Sequence, residues 1–221
     1  MVFLMKQGFS LIELLVVIGI IGLVMAISLP ALSRVREQAK IIVVGAELRQ
    51  IGICLEMYMN DNNGKHPPTR KDCTLGWQDH QLPPELVKGR YLPAPDPDSG
   101  MSAGIEDRFN RGNTYKYWAV GELYQNGRFI PKKKASLYVP EGFPYQEGPP
   151  ETDIEYDDPA TSPVTWVIYS QGPKFNDFEI LKQLRGPVPQ RTWYSQQKHN
   201  GIIVRMRLKK GTQISSFEEH P

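Results

Sequence analysis

The sequence predicts an α+β fold, in which a long N-terminal helix packs on a small antiparallel β-sheet. Residues 11–32 form an apolar run with a single ionisable side chain, that of Glu13. Farther along, apolar side chains recur every three or four residues, as one face of a helix requires; they are Ile41, Val44, Leu48, Ile51, Leu55 and Tyr58. Beyond residue 61, short segments rich in β-branched and aromatic residues indicate strands.

The apolar run is long enough to cross a membrane. As a helix rising about 1.5 Å per residue, the 22 residues from Leu11 to Leu32 reach roughly 33 Å. A carboxylate inside such a segment costs roughly 2.5–3.5 kcal/mol, so Glu13 needs a partner. Cleavage after Gly8 would create an amine on Phe9, which can pair with Glu13 of a neighbouring, staggered subunit.

Residues 6–17 (KQGFSLIELLVV) resemble the class III signal of type IV prepilins and type II secretion pseudopilins. The resemblance implies that prepilin peptidase cuts after Gly8, that Phe9 becomes N-methylated and that Glu13 guides filament assembly. Pro30 falls where many pilins have a helix-kinking proline, and its missing backbone donor also predicts a bend. The implied fold is type IV pilin-like.

The resemblance also implies an organisation and a location. Residues 1–8 are predicted as leader, 9–32 as the transmembrane and assembly part of the helix, 33–60 as its amphipathic part and 61–221 as a periplasmic head. The chain would lie in the bacterial inner membrane, with a cytoplasmic N-terminus before processing. Extraction into a filament then implies four partners: other copies of the chain, prepilin peptidase, other pseudopilins and an inner-membrane assembly platform.

Residues after the predicted helix contain several turn signals. Residues 61–64 (DNNG) predict the helix end, with Gly64 suited to a left-handed cap. Pro83 and Pro84 predict the start of a short helical turn, which Gly89 ends. Residues 48–67 and 82–98 resemble the helix exit and the proline-rich turn of major pseudopilins.

Four later segments are predicted as strands, namely residues 115–120, 136–139, 164–169 and 202–208. In the last of them, Val204 and Met206 alternate with Arg205 and Arg207, which predicts one buried and one solvated sheet face. Residues 166–173 resemble a pseudopilin strand that ends in a tyrosine-serine-x-glycine turn. Residues 124–163, rich in proline and acidic residues, are predicted as an insertion of surface loops.

Metal and thiol chemistry is only weakly indicated. Many major pseudopilins hold calcium after that turn, where this chain offers Asp177 and Glu179. Calcium takes six to eight oxygen ligands, so we interpret the loop as solvated, with calcium as the alternative. Cys54 and Cys73 are expected as two separate thiols, with a bridge between them as the alternative.

Composition and motifs argue against a nucleic-acid-binding protein and against an enzyme. The net charge of +2 is too small to indicate a nucleic-acid partner, and Lys132-Lys133-Lys134 is interpreted as a charged turn. The sequence has no glycine-flanked serine nucleophile and no phosphate-binding loop, so no enzyme is predicted.

We therefore predict a structural subunit of a type II secretion pseudopilus. Within this class, a type IV pilus subunit for adhesion, motility or DNA uptake is the alternative, and a minor pseudopilin stays open because of the long insertion. Two other classes differ in their N-terminus. A monomeric membrane-anchored envelope domain would leave the bond after Gly8 uncut, and a secreted enzyme would begin near Leu29.

Overall fold

The computed structural model describes residues 10–71, 80–174 and 186–217. Two α-helices are α1, Leu11–Asp61, and α2, Glu85–Lys88. The strands are β1 Thr69–Lys71, β2 Lys116–Ala119, β3 Gly121–Gln125, β4 Arg128–Ala135, β5 Leu137–Val139, β6 Ile154–Tyr156, β7 Val164–Ser170, β8 Ile203–Leu208 and β9 Gln213–Ser215. Single 3-10 turns occupy Pro150–Thr152 and Gln190–Thr192.

The chain divides into two compact units, Met1–Ala39 and Lys40–Pro221. In the first unit, every residue of α1 from Leu11 to Leu32 is exposed. In the second unit, the buried face of α1 follows the predicted stripe from Ile41 to Leu55, but Tyr58 is only half-buried and Met59 is buried in its place. The buried residues are Ile41, Val44, Leu48, Ile51, Gly52, Leu55 and Met59. The helix ends at Asp61, and Gly64 adopts a φ of +77° with its N–H bonded to the carbonyl of Met59 at 2.8 Å. The predicted stop is therefore confirmed.

The central sheet has the strand order β2-β7-β8-β9, and all its pairs are antiparallel. Trp166 and Ile168 of β7 pack with the buried stripe of α1, together with Tyr117 and Ile203, in a first core. Fully burying a large apolar side chain of this kind contributes about 1.5–3 kcal/mol. The predicted α+β fold, a long helix on antiparallel sheet, is confirmed.

The opposite face of the central sheet is also covered, by a second core. Val167 and Tyr169 lie there with Leu137, Val139 and Phe143, which come from the segment predicted as surface loops. Residues 124–163 instead contain all of β4, β5 and β6. The loop prediction needs this correction because the sheet exposes a second apolar face, and the segment supplies its cover.

Two smaller sheets flank this arrangement. One has the order β1-β3-β4, with β1 parallel to β3 and β4 antiparallel to it. The other pairs β5 with β6. Lys132, Lys133 and Lys134 lie on β4, so they form part of a strand and the predicted charged turn is wrong.

The sequence predicted a solvated arginine face on β8, and this prediction is wrong. Arg205 is buried and Arg207 half-buried, because this face lies against α1. The Arg207 Nε–H donates to Glu56 at 2.9 Å, and the Gln213 amide donates to the same carboxylate at 3.0 Å. The Arg207 guanidinium is therefore held by a carboxylate of the helix, while Arg205 donates to the Gln213 side chain of β9 at 3.1 Å.

One buried histidine makes the stability of the second unit depend on pH. The His80 ring stacks on Trp118, with centroids 4.1 Å apart and planes at 15°. Burial, with Lys71 and Lys116 nearby, lowers the pKa of His80 to about 3. Burial also lowers the pKa of His66. Since the unfolded chain takes up these protons near pH 6.5 and the folded chain resists them, the stability present above pH 6.5 is lost as pH falls.

We expect His80→Phe to flatten this dependence, since phenylalanine keeps the stacking area and cannot be protonated. Wild type should lose up to about 1.4 kcal/mol per pH unit through His80 between its unfolded and folded pKa values. Urea unfolding of the detergent-solubilised chain at about pH 7 and about pH 5 measures the difference. Equal losses in wild type and variant would contradict a buried neutral His80.

Candidate functional site

The first candidate site is the N-terminal turn of α1, where Glu13 lies in the third helical position. The backbone N–H of Ser10 donates to Glu13 Oε2 at 2.8 Å, and the N–H of Leu14 donates to the Ser10 carbonyl at 3.2 Å. Ser10 therefore caps the helix with its backbone, and Glu13 closes half of a capping box. In the single chain, the Glu13 carboxylate satisfies the start of its own helix.

The side chains around Glu13 have no cover in the single chain. Ile12 is 70% exposed, and the apolar run continues exposed to Leu32. By length and composition α1 can cross a membrane, and within residues 10–71, 80–174 and 186–217 it is the one helix that can. A carboxylate in a helix able to span a membrane is rare and costly, so Glu13 is a candidate functional residue.

Other predicted site residues have different outcomes. Gly8, Phe9, Asp177 and Glu179 lie outside the described residues. Helix α1 runs through Pro30, and the Ser33 hydroxyl donates to the Pro30 carbonyl at 2.9 Å. The kink at Pro30 stays a prediction.

A second apolar stripe on α1 was missed by the sequence analysis. Ile42, Ala46, Ile53 and Met57 are exposed and lie within about 60° of one another around the helix axis. The charged Arg49 and the polar Asn60 are exposed on the same side, so the stripe is mostly and not wholly apolar. Their direction is nearly opposite to that of the buried stripe. Ile42 is 72% exposed, and Ile53 and Met57 are each 52% exposed. The signal was present in the sequence as a second set of residues at helical spacing.

The predicted tyrosine-serine-x-glycine turn is held by a buried carboxylate that was also missed. Asp107 is fully buried and accepts hydrogen bonds from the Ser170 hydroxyl at 2.6 Å, the Phe109 N–H at 3.0 Å and the Gln171 N–H at 3.2 Å. Burial raises the pKa of Asp107, while these bonds oppose the rise. Nothing local in the sequence pairs Asp107 with a turn 63 residues later.

The described residues offer little for metal or thiol chemistry. Among them, no three histidine, cysteine, aspartate or glutamate side chains are grouped to hold an ion. Cys54 is a free thiol, and its sulfur lies 3.1 Å from the carbonyl oxygen of Tyr91. Cys73 lies outside the described residues, so the expected separation of the two thiols stays a prediction.

Comparison with known proteins adds to this picture. The prokaryotic N-terminal methylation motif matches residues 4–29. The chain is 29% identical over 126 residues to the type IV major pilin protein PilE1 of Neisseria gonorrhoeae, covering 53% of this chain and 71% of that protein. It is 37% identical over 57 residues to the type II secretion system core protein G of Pseudomonas aeruginosa, covering 26% of this chain and 40% of that protein.

A third similarity is to the type IV wide pilus major component PilA4 of Thermus thermophilus. The two chains are 46% identical over 57 residues, which cover 26% of this chain and 44% of that protein. The chain thus spans less than half the length of this relative and of the secretion protein. No solved structure matches the chain significantly.

We expect Asp107→Ala to destabilise the second unit by about 3 kcal/mol, because it leaves the buried Ser170 hydroxyl and two half-buried N–H groups without their acceptor. The matched control is Glu106→Ala. Glu106 is exposed and accepts one bond, from the Gly112 N–H at 2.7 Å, so its loss should cost less than about 1 kcal/mol. Urea unfolding compares the two variants. Equal free-energy losses would mean that Asp107 does not hold the turn.

Proposed function

We propose that this chain, which is a type IV prepilin-like protein, is a structural subunit of a type II secretion pseudopilus or a related type IV filament that supports protein secretion. The membrane-anchored filament subunit is the general function, and the secretion pseudopilus is the specific one. Its helix would pack with the helices of neighbouring copies, and its head would face outward.

The observation that carries this proposal is the second apolar stripe of α1. A bilayer core is crossed by about 20 residues, which the run from Leu11 to Leu32 already supplies. Ile42, Ile53 and Met57 therefore need cover from a partner other than lipid. The helix of a neighbouring copy carries the exposed apolar run from Leu11 to Leu32, so it is a fitting occupant. A monomeric anchored domain gives no reason for this stripe.

Glu13 provides the second argument. In the single chain its carboxylate is held by the N–H of Ser10, which is a neutral donor. Cleavage after Gly8 would place a charged amine on Phe9, and an amine on a neighbouring copy is a stronger partner for a carboxylate in a dry environment. Assembly would thus exchange a weaker partner for a stronger one, and this exchange favours the filament over the dispersed subunit.

The remaining partners and the location follow from the same reading. Prepilin peptidase would process the precursor in the inner membrane, with the N-terminus cytoplasmic and the head periplasmic. Other pseudopilins and the assembly platform would then receive the mature chain. The second candidate, a type IV pilus subunit, is favoured by the longer match to PilE1, over 126 residues against 57 for the secretion protein.

The first test separates the charge of Glu13 from its capping role. Glutamine at this position still accepts the Ser10 N–H, whereas leucine does not. We expect both Glu13→Gln and Glu13→Leu to be processed normally and to form no filaments, because each lacks the charge that pairs with the amine. Mass spectrometry should find mature chains that begin at methylated Phe9, and shearing of intact cells should release filaments from wild type only.

Two results would contradict this account. Normal filaments from Glu13→Gln would show that only the cap matters, and a wild-type chain that still begins before Gly8 would favour the plain anchor. Gly8→Leu is the processing control, since a bulky residue before the bond should block cleavage.

The next test addresses the second stripe. Ile53→Lys should leave membrane insertion and head stability unchanged, since Ile53 is half-exposed in the single chain, but should reduce sheared filaments about tenfold or more by burying an unpaired charge. Ile53→Met is the matched control, because it changes the same exposed side chain and keeps it apolar. Equal filament yields from the two variants would contradict burial of the second stripe against a neighbouring copy.

A further inference from the structure

Strand β4 is exposed along nearly its whole length and carries one sign of charge. Its eight residues include four basic side chains, Arg128, Lys132, Lys133 and Lys134, and no acidic ones. All four are exposed. Because β4 lies at one end of the β1-β3-β4 order, it presents this row at a sheet edge. We call these four side chains the basic row.

The basic row is largely unmatched within its own chain. Lys134 lies opposite Glu122 across the β3–β4 pair, which places an acidic neighbour beside it. Within the residues that the structure describes, Lys132 and Lys133 make no ion pair. Strand addition by a partner is disfavoured here, since Pro131 and the lysines are the features that block edge pairing. A partner would therefore bind through its charge.

The next part of the chain has the opposite charge. Residues 141–158 contain seven acidic side chains and no basic ones. Some are used internally: Asp153 pairs with Arg191, and Glu155 accepts hydrogen bonds from the Ser136 and Tyr138 hydroxyls. Glu151 and Asp157 are exposed, and in the described part of the chain neither makes an ion pair or a side-chain hydrogen bond. Glu151, Glu155 and Asp157 form an exposed acidic segment around β6.

We infer that the basic row of one copy contacts the acidic segment of a second copy of this chain, an inference that rests on the proposed filament function. A helical filament repeats one heterologous contact, which joins two different and complementary patches of the same chain. The basic row and the acidic segment meet that requirement, because they belong to different sheets and are not paired within one chain. The contact lies between heads and adds to the packing between helices.

A long polyanion such as nucleic acid fits the basic row less well. The row is confined to one eight-residue strand, and the whole chain has a net charge of only +2. A polyanion would need a longer basic surface to neutralise several of its phosphates. A compact acidic patch of limited size is matched by the row alone.

The experiment is a charge swap in the full-length chain, read as filaments sheared from cells. Lys132→Glu with Lys133→Glu, and Glu151→Lys with Asp157→Lys, should each lower the yield about tenfold by placing like charges together. The combined four-residue variant should recover to within about twofold of wild type, because it restores opposite charges. Lys198→Glu with Lys210→Glu is the control; both lysines are exposed on the same head, and the yield should not change.

The outcomes separate this inference from the proposed function. Wild type without filaments would mean that the proposed function fails. Filaments in wild type, with swaps that have no effect or with no recovery in the combined variant, would overturn the head contact and leave the filament standing. If filaments were lost in the Lys132→Glu, Lys133→Glu variant but not in the Glu151→Lys, Asp157→Lys variant, the basic row would bind another acidic ligand. That result would likewise overturn contact between copies.

A second measurement covers variants that do not accumulate. Lys133→Cys with Asp157→Cys, in a chain with Cys54→Ser and Cys73→Ser, should give a ladder of linked multimers when intact filaments are mildly oxidised. Lys198→Cys with Asp157→Cys should give none, since Lys198 lies outside the basic row. The same ladder from both pairs, or from neither, would overturn the contact.

Discussion

The part of α1 between Lys40 and Asp61 has apolar side chains on two nearly opposite sides, and water can cover neither at low cost. One side, centred on Leu48 and Ile51, is covered by the chain's own sheet. The other side, with Ile42 and Ile53, is left exposed. This asymmetry constrains the rest of the molecule, since the head covers only one of the two apolar faces.

The head holds one face of the helix with charged side chains at the edges of the contact. Glu47 is half-buried and binds Arg108 and the Tyr115 hydroxyl, while Glu56 binds Arg207. A charge pair left without one partner in such a place is costly, so these contacts specify how the helix and the sheet meet more than they add stability.

Two glycines of α1 also serve close approach. A side chain at Gly45 would meet the Phe217 ring at 3.2 Å, and one at Gly52 would meet the Gln213 amide oxygen at 2.7 Å. Each glycine costs the helix about 1 kcal/mol relative to alanine. Contact with the C-terminal strand and the residues after it offsets that cost, and it explains why weak helix formers interrupt a strongly periodic stretch.

Sequence reasoning succeeded where a pattern is local and regular. The buried stripe of α1, its end near Gly64, the short helix after Pro84 and the strands β2, β5, β7 and β8 all follow from spacing and composition. Strand β4 was missed, because Pro131 and three lysines oppose strand formation locally and only pairing with β3 overrides them.

The same distinction between local and long-range signals applies to the candidate site residues. Glu13 is visible in the sequence because a charge in an apolar run is conspicuous, whereas its bond to the Ser10 N–H depends on where the helix begins. Asp107 could not be found, because its partner Ser170 is distant in the chain and close only in the fold. The arginine face of β8 was read as solvated because alternation reveals that two faces differ, not what covers each.

The cover on the back of the central sheet also bears on how heads of this kind can differ. Leu137, Val139 and Phe143 close the second core, so the segment that supplies them is part of the fold and not an appendage. The same segment also carries the basic side chains of β4 and the acidic segment around β6, which are exposed and are not part of this core. In a filament, cohesion would come from apolar helices at the centre, where charge is costly. Selectivity would come from charges at the periphery, where water screens each one and where a change of sign alters the partner without unfolding the head.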